Sequence, residues 1–281
     1  MSNNFTVRKN VDSLSDTELQ DIRTAYSKAM QITDNRGYSF IAGIHGRPQG
    51  KCMHDPVNVG GVSEARLFLP WHRAYLYTLE KALQDQVSGV TIPFWDWRTN
   101  PDQNGSIPQA FSQVPTDNQP NPLYSFHIKL GPKKPIDRDT IRFPGSAISQ
   151  DQAFSLPTPD EITNIINQNP HFDDFSDHIQ NVHNNIHMWT GGSTITNGRI
   201  VSGDMTNLDL AAFDPIFWSH HCMIDRIWWM WQQQYGINQI DPDYLGLALE
   251  PFTLTVNDVL DIYKLGYEYA GTQTTVGGTT Q

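Results

Sequence analysis

The stretch that decides the fold lies near the end of the chain and reads Asp214-Pro215-Ile216-Phe217-Trp218-Ser219-His220-His221-Cys222-Met223-Ile224-Asp225. Two adjacent histidines stand there among aromatic and aliphatic residues, which favours a helix buried in a core. Successive residues of a helix are turned by about 100°, so we expect only one of His220 and His221 to bind a given metal ion. Asp225 follows His221 by one helical turn, and it can accept a hydrogen bond from that imidazole or pair with an arginine.

A second histidine pair, His183 and His187, lies upstream of this stretch. Its i, i+4 spacing places both imidazoles on one helix face. The pair resembles a zinc-protease motif, but that motif requires glutamate directly after the first histidine, and Asn184 stands there. The general base of that enzyme class is therefore missing, and the pair is either a ligand set or two ordinary helix histidines.

Three further histidines come earlier in the chain. His72 follows Pro70 in the run Phe68 to Arg73, which is typical of the start of a helix, whereas His45 and His54 lie in loop-like sequence. His45 and His54 are candidate metal ligands only because a metal ion bound by His72 would need two more nitrogen donors. No metal role is assigned to the remaining histidines, which are His127, His171 and His178.

The donor types narrow the choice of metal only in part. Six imidazoles without a carboxylate argue against a di-iron centre, whose helical bundles combine Glu and His. Imidazole suits Cu, Zn, Fe and Ni alike. Two facing sites of three nitrogens, each with an open position, could hold dioxygen between them.

Hydrophobic periodicity predicts a mainly α fold, a helical bundle core that holds the metal site, with long irregular loops and little strand. Residues 36–70 are rich in Gly and Pro and are expected to be irregular, and ten of the 18 prolines lie between Asn100 and Asp160, where ordered loops are expected. The predicted helices are one of about four turns capped by Ser15 and Glu18, one from about Trp71 to Gly89, one from about Phe175 to Trp189, one from Pro215 or His220 to Tyr235, and one from Val256 to Leu265.

Composition excludes several classes of partner. The net charge of −11, with no stretch rich in Lys or Arg, argues against a nucleic-acid partner. No apolar run is long enough to span a membrane, so no membrane partner is expected. The first residues, Met1 to Phe5, do not form a signal peptide, and Cys52 and Cys222 are the only cysteines. We therefore expect a cytoplasmic protein, with export by another route left open, and the oligomeric state stays undetermined.

Four segments together resemble the type 3 copper proteins, which are the tyrosinases, catechol oxidases and other polyphenol oxidases, with the haemocyanins as relatives. These segments are Phe68 to Glu80, Pro93-Phe94-Trp95-Asp96-Trp97, His187-Met188-Trp189-Thr190-Gly191-Gly192, and Asp214-Pro215-x-Phe217-Trp218-x-x-His221-x-x-x-Asp225. The likeness extends over nearly the whole chain. It implies one catalytic domain over residues 1–270, followed by a polar tail over residues 271–281.

The resemblance also implies a set of ligands and an activity. One copper ion would be bound by His45, His54 and His72, and the other by His183, His187 and His221. The implied reaction is oxidation of small o-diphenols to o-quinones by O2, with ortho-hydroxylation of monophenols as a second implied activity. Cys52 resembles the cysteine that some members join covalently, as a thioether, to the second ligand, here His54.

Two departures from the family pattern concern the site. Members commonly have the second ligand nine residues before the third, but Ser63 stands there, so His54 must act across a longer loop. Many monophenol-hydroxylating members have Glu shortly before the first downstream ligand, where it orders a water; here Gln180 can orient a water but is a poor base. Asn184 does match the residue associated with hydroxylation, so these two positions conflict.

The ends of the domain and the rim of the site are also implied by the resemblance. Tyr267-Glu268-Tyr269 is similar to a closing Tyr-x-Tyr element that contacts an arginine near the N-terminus, for which Arg8 is the candidate. Leu208 matches the position that controls entry over the second copper, and Met188 is expected at the rim. No C-terminal shielding domain follows, so an open site is expected.

Two other functions are left open by the sequence. An o-aminophenol oxidase would use the same copper site on an amino-substituted ring. An oxygen carrier like a haemocyanin would share all six ligands, but carriers cover the site with a further domain or a bulky residue.

Overall fold

The computed structural model describes residues 5–99, 107–148 and 154–271. The predicted tail, residues 271–281, lies outside these ranges except for its first residue. Eight α-helices are present in the described residues: α1 Asp16–Gln31, α2 Tyr38–His45, α3 Phe68–Gln84, α4 Gln109–Ser112, α5 Pro159–Gln168, α6 Phe172–Gly191, α7 Ile216–Tyr235 and α8 Val256–Val259.

Helix α3 lies at the centre of the fold. It packs against α1, α2, α6 and α7, and α6 packs against α7. The predicted mainly α bundle is therefore confirmed, and its core is rich in aromatic rings, with Trp71, Trp97 and Trp218 fully buried. No helix in the described part of the chain has the length and apolar character that crossing a membrane requires.

The helix starts follow local capping chemistry. Ser15 and Glu18 form the predicted capping box at the start of α1. At the start of α3, the side chain of Asp55 accepts hydrogen bonds from the main-chain nitrogens of Leu67 (2.6 Å) and Phe68 (2.8 Å). A carboxylate there satisfies main-chain groups that a helix start leaves free. It also joins the loop that carries His54 to the helix that carries His72.

The strands are short and pair in twos. They are β1 Thr6–Arg8, β2 Val57–Val59, β3 Val62–Ala65, β4 His127–Leu130, β5 Ile136–Asp139, β6 Ser193–Thr196, β7 Arg199–Ser202 and β8 Tyr267–Tyr269. Three pairs are antiparallel and local (β2–β3, β4–β5 and β6–β7). The parallel pair β1–β8 aligns Arg8 with Tyr269 and so joins the two ends of the described chain.

Some element predictions were wrong. The segment 36–70 was expected to be irregular, but it contains α2 and the β2–β3 hairpin. Helix α2 is short and apolar, and burial of its side chains stabilises it. It shows no amphipathic periodicity from which the sequence could have predicted it. Helix α3 ends at Gln84 and not near Gly89, and α8 ends at Val259 and not at Leu265.

A buried ionic network joins β1, α3 and α7. The Arg8 guanidinium donates to both carboxylate oxygens of Glu80 (2.9 and 3.2 Å), to Asp225 Oδ2 (3.2 Å) and to Tyr269 Oη (3.0 Å). Arg73 forms an ion pair with the other Asp225 oxygen. Asp225 therefore pairs with arginines, which settles the alternative left open by the sequence, and the expected contact between Arg8 and the Tyr-x-Tyr element is present.

Candidate metal centre

Six histidines converge at the middle of the bundle from five segments of the chain. His45 ends α2, His54 lies in the following loop, His72 lies in the first turns of α3, His183 and His187 lie on α6, and His221 lies on α7. All are buried except His54, which is half-buried. They form two clusters within which one ligand atom of each residue lies within 4.8 Å of the others.

The upstream cluster contains His45, His54, His72 and Cys52. The Nδ1 atoms of His45 and His72 donate to the carbonyl oxygens of Leu208 (3.1 Å) and Phe68 (2.8 Å). A carbonyl oxygen can only accept, so the ring proton lies on Nδ1 and the lone pair of Nε2 is free to bind a metal. The Cys52 sulfur lies 3.7 Å from His54 Nε2 and 3.5 Å from His72 Nε2.

The downstream cluster is built in the same way. His183 Nδ1 donates to Asn184 Oδ1 (3.0 Å), and His187 Nδ1 donates to the Met205 carbonyl (2.9 Å). Their Nε2 atoms lie 3.1 and 3.3 Å from His221 Nε2. Three ring nitrogens therefore point at one small volume between α6 and α7.

His220 also belongs to the downstream cluster, although sequence reasoning allowed only one ligand from the His220–His221 pair. Its ring stacks on His183 at 5.2 Å, with an interplanar angle of 14°. The close approach of His221 Nε2 to both helix α6 nitrogens favours His221 as the ligand, and it assigns His220 to packing behind His183.

The two clusters lie against each other across the interface between α3 and α7. The rings of His72 and His221 stack with centroids 4.4 Å apart, and those of His54 and His183 are 5.8 Å apart. Phe217 and Phe68 pack against His221 (4.1 Å) and His183 (4.7 Å). The aromatic packing restricts the orientation of the imidazoles, so the geometry of the site is set before any metal binds.

Burial keeps these imidazoles neutral. Desolvation lowers the pKa of His45, His72, His183 and His221 well below its usual value, and it lowers the pKa of His187 to about 4. A metal requires the neutral ring, so protons compete weakly for these nitrogens near neutral pH.

The hydrogen-bonding pattern is that of a site built for cations. His45 Nε2 is buried and has no partner in the described part of the chain, although its Nδ1 is bonded. The ring proton of His183 and of His187 lies on Nδ1, where it is donated to a hydrogen bond. The Nε2 atom of each ring therefore carries a lone pair and points toward His221. A cation in each cluster would satisfy these lone pairs, and the two groups of neutral imidazoles fit copper.

One cavity, which we call the histidine cavity, opens over this centre. It measures about 300 Å³ and is lined by His45 and His54 of one cluster and by His183 and His187 of the other. Met188 and Leu208, which are 38% and 51% exposed, line it together with Asn184. Sequence reasoning missed three further lining residues, Met205, Thr206 and Ala211, because they come from turns between α6 and α7 that no motif marks.

Gln180 has a different environment from the one expected. Its Oε1 accepts from the Asp55 main-chain nitrogen (2.8 Å), and its Nε2 donates to the Asp55 carbonyl (3.1 Å). Both ends of the amide thus hold the loop next to His54 against α6. The expected role of Gln180 in orienting a water stays a prediction.

The lowered pKa of His187 predicts a pH-dependent stability. Its folded pKa of about 4 lies below the usual 6.5, so its contribution is present above pH 6.5 and is lost as the pH falls toward 4. In copper-free protein, the stability difference between wild type and His187→Gln should shrink by about 2 kcal/mol from pH 7 to pH 5. Urea unfolding at both pH values measures it.

The comparison with His187→Gln is necessary because other groups act in the opposite direction. Burial raises the pKa of Asp55 and of Asp214 to about 6, which favours the folded state as the pH falls. These carboxyl groups are present in both proteins, so their contribution cancels in the difference. An unchanged difference between pH 7 and pH 5 would contradict the prediction.

Comparisons with known proteins agree with this geometry. Residues 35–234 match the family model described as the common central domain of tyrosinase. The chain is 31% identical to haemocyanin 2 of Megathura crenulata over 230 residues, which is 80% of this chain and 6% of that protein. It is 26% identical to a tyrosinase of Hahella sp. over 329 aligned positions, which cover 79% of this chain and 58% of that protein.

Solved structures lead to the same family. A functional unit of octopus haemocyanin superposes with a TM-score of 0.71 at 28% identity, covering 94% of this chain and 68% of that one. A tyrosinase from Burkholderia thailandensis superposes with a TM-score of 0.68 at 26% identity, covering 94% and 73%. This chain thus spans only part of the relatives that it matches.

Proposed function

Because the chain belongs to the type 3 copper proteins, the family of the tyrosinases and haemocyanins, we propose that it is an oxidase that converts o-diphenols to o-quinones with O2. In this reaction two o-diphenols each lose two electrons and two protons, and one O2 is reduced to two waters. The copper ions, when bound by the six histidines, supply the redox chemistry that couples these two changes.

One observation carries the proposal. The histidine cavity is open to solvent and is lined by histidines of both clusters, so an aromatic ring that enters it reaches both metal sites together. Its volume of about 300 Å³ exceeds that of a single ring, since about 150 Å³ suffices for benzene. The rim residues Met188 and Leu208 are apolar and suit the faces of a phenol.

The protein's own side chains would hold and orient the reactants. Main-chain carbonyls and Asn184 fix the tautomers of four ligands, so the metal-binding nitrogens stay in place through the reaction. The Asp55–Gln180 contacts hold the loop of His54. This rigidity keeps the two metal sites at a fixed separation while a ring binds between the walls of the cavity.

Oxygen uptake by copper-loaded protein tests the proposal. We expect fast uptake with 4-methylcatechol. Uptake with 4-methylphenol after a lag would indicate monophenol hydroxylation, the activity with which Asn184 is associated. No uptake with 4-methylphenol would instead agree with Gln180 being a poor base for that step. Faster uptake with o-aminophenol than with the catechol would replace the diphenol oxidase by an o-aminophenol oxidase.

The haemocyanin relatives support a second candidate, an oxygen carrier that uses the same six ligands. A carrier would bind O2 reversibly, with one O2 per two copper ions, and would not consume it with any of the three substrates. That result with fully copper-loaded protein would overturn the oxidase.

Asn184 offers a test of ligand orientation. Replacing Asn184 by alanine removes the acceptor for His183 Nδ1, so we expect about 10-fold weaker retention of the downstream copper. Asn185→Ala is the matched control, since Asn185 is an exposed neighbour of the same type on α6. Copper content after dialysis against a graded chelator series measures the effect. Equal retention in both variants would leave Asn184 without a role in orientation.

We further infer a thioether between Cys52 and His54, supported by the 3.7 Å approach of the sulfur to His54 Nε2. Forming the carbon–sulfur bond breaks one S–H and one C–H bond, and the two electrons and two protons pass to O2. The intact mass after copper loading in air should fall by two hydrogens relative to copper-free protein. Cys52→Ser is the control, and an unshifted mass of the wild type would contradict the bond.

A further inference from the structure

A second cavity lies beside the histidine cavity, and we call it the outer cavity. It measures about 340 Å³ and lies between the C-terminal end of α6, the segment 145–148 and the β6–β7 hairpin. Met188 and Thr206 line both cavities, so the outer cavity continues from the site where the phenol ring would bind.

Three consecutive residues of α6 lie along the border between the histidine cavity and the outer cavity. His187 faces the histidine cavity, Trp189 faces the outer cavity, and Met188 borders both. The Met188 side chain is 38% exposed and unbranched, so it can adjust to a molecule that extends from one cavity into the other. A ring bound against His187 would therefore lie next to a residue that both cavities share.

The lining of the outer cavity selects for neutral, mainly apolar groups. None of the described residues that line it is ionisable, and Trp189, Phe154 and Ile200 provide apolar surface. The hydroxyls of Ser193 and Ser202 bond to each other at 2.9 Å. A volume of about 150 Å³ binds benzene, so an aryl ring fits here and can stack on Trp189 or Phe154.

Two glycines allow close main-chain contacts at the edge of the outer cavity. Gly192 lines the outer cavity with a φ of +57°, and a Cβ there would lie 1.8 Å from the Phe143 carbonyl oxygen. Gly145, whose main-chain nitrogen donates to the Trp189 carbonyl (2.9 Å), lies against the indole of Trp189, which a Cβ would approach to 3.5 Å. Glycine at these positions allows the main chain of the segment 143–146 to pack closely against the C-terminal end of α6.

We propose that the outer cavity binds an aryl substituent of the substrate, so that the preferred substrates are o-diphenols carrying a second, uncharged ring para to a reacting hydroxyl. This inference rests on the proposed oxidase activity. The reacting hydroxyls must face the histidines, so the opposite side of the ring points away from them, and a substituent there can pass Met188 and Thr206 into the outer cavity.

Two catechols that share the reacting ring, 4-benzylcatechol and 4-methylcatechol, test this proposal. Initial oxygen uptake gives kcat/KM with each, and the measured quantity is the ratio of the benzyl to the methyl value. We expect a ratio of at least about 10 in the wild type, because burying a ring adds roughly one to two orders of magnitude in binding. Binding of 4-benzylphenol to copper-free protein, measured by calorimetry, gives a readout that does not depend on turnover.

Two substitutions obstruct the outer cavity from different walls. Ser202→Trp on β7 and Ala147→Trp on the facing segment should each reduce the ratio to about 1, while the oxidation of 4-methylcatechol keeps its wild-type kcat/KM. Thr196→Trp adds the same bulk to the exposed tip of the β6–β7 hairpin, outside the cavity, and should keep the wild-type ratio.

The outcomes separate this inference from the proposed function. A wild-type ratio near 1 with fast oxidation of 4-methylcatechol would overturn the aryl site and leave the oxidase intact. A high ratio that all three tryptophan variants retain would also overturn it. If neither catechol is oxidised, but Ser202→Trp and Ala147→Trp still weaken 4-benzylphenol binding and Thr196→Trp does not, the oxidase fails and the aryl site stands.

Discussion

Replacing His221 by phenylalanine should remove the downstream copper ion and abolish catechol oxidation. Its Nε2 lies 3.1 Å from His183 Nε2 and 3.3 Å from His187 Nε2, so the substitution takes one of three nitrogens from that site. A metal supplies several kcal/mol of stabilisation to such a reaction, so its loss should lower kcat/KM by at least about 1,000-fold. Copper content by atomic absorption should fall from two ions per chain to one.

His220→Phe is the matched control. It changes the adjacent histidine in the same way and keeps a flat ring stacked on His183. We expect two copper ions and activity within about threefold of the wild type, since only packing is affected. Loss of copper in His220→Phe with retention in His221→Phe would reverse the assignment of the ligand.

This pair of variants addresses a point at which sequence reasoning was incomplete. Periodicity predicted a buried helix, and α7 is one. It did not predict that both histidines would lie within the cluster, because His183 and His187 on α6 are spread widely enough to contact both rings. The side chains of a facing helix, which are distant in sequence, decide such contacts.

The histidines of the upstream cluster differ in how far the sequence could predict them. His72 lies at a recognisable helix start, but His45 ends α2, a short apolar helix that no periodic pattern indicates. His54 reaches the centre because Asp55 bonds both the start of α3 and Gln180 of α6. Each bond joins a side chain to a main-chain nitrogen that any residue could provide, so the sequence alone supported His54 only through the need of His72 for further nitrogen donors.

The hydrogen-bond acceptors that orient the imidazoles could not be predicted from the sequence either. The carbonyl oxygens of Phe68, Met205 and Leu208 fix three histidine tautomers, and any residue type could provide them. The ionic network, by contrast, could be predicted in part. Arg8 and the Tyr-x-Tyr element were expected to meet, whereas the bonds from Arg8 to Glu80 depend on the packing of β1 against α3.

Replacing Arg8 by alanine should destabilise the fold more than any surface change. The guanidinium is fully buried and pairs with Glu80 and Asp225, so its removal leaves the buried Glu80 carboxylate without its arginine and Asp225 with Arg73 alone. Breaking such a pair costs about 3–5 kcal/mol, which corresponds to a decrease in Tm of roughly 10 °C for a chain of this size. Thermal and urea unfolding of copper-free protein measure the loss.

Lys9→Ala is the control for this substitution. Lys9 also forms an ion pair, with Glu18, but both partners are about 40% exposed, so the expected loss is below about 1 kcal/mol. Arg8→Lys should recover only part of the stability, because an ammonium cannot bond both Glu80 oxygens and Tyr269 in the geometry of the guanidinium. A Tm of Arg8→Ala indistinguishable from that of Lys9→Ala would contradict a stabilising role for the network.

The same substitution should also weaken copper binding, although the bonds that Arg8 makes go to carboxylates and a tyrosine and not to the six ligands. Glu80 lies on α3 with His72, and Asp225 lies on α7 one turn after His221, so Arg8 links the two helices whose histidines stack at the centre. Because β1 pairs with β8, this link also depends on both ends of the described chain. We therefore expect a chelator to remove copper faster from Arg8→Ala than from Lys9→Ala at a temperature where both are folded. Equal rates would mean that the network stabilises the fold without affecting copper binding.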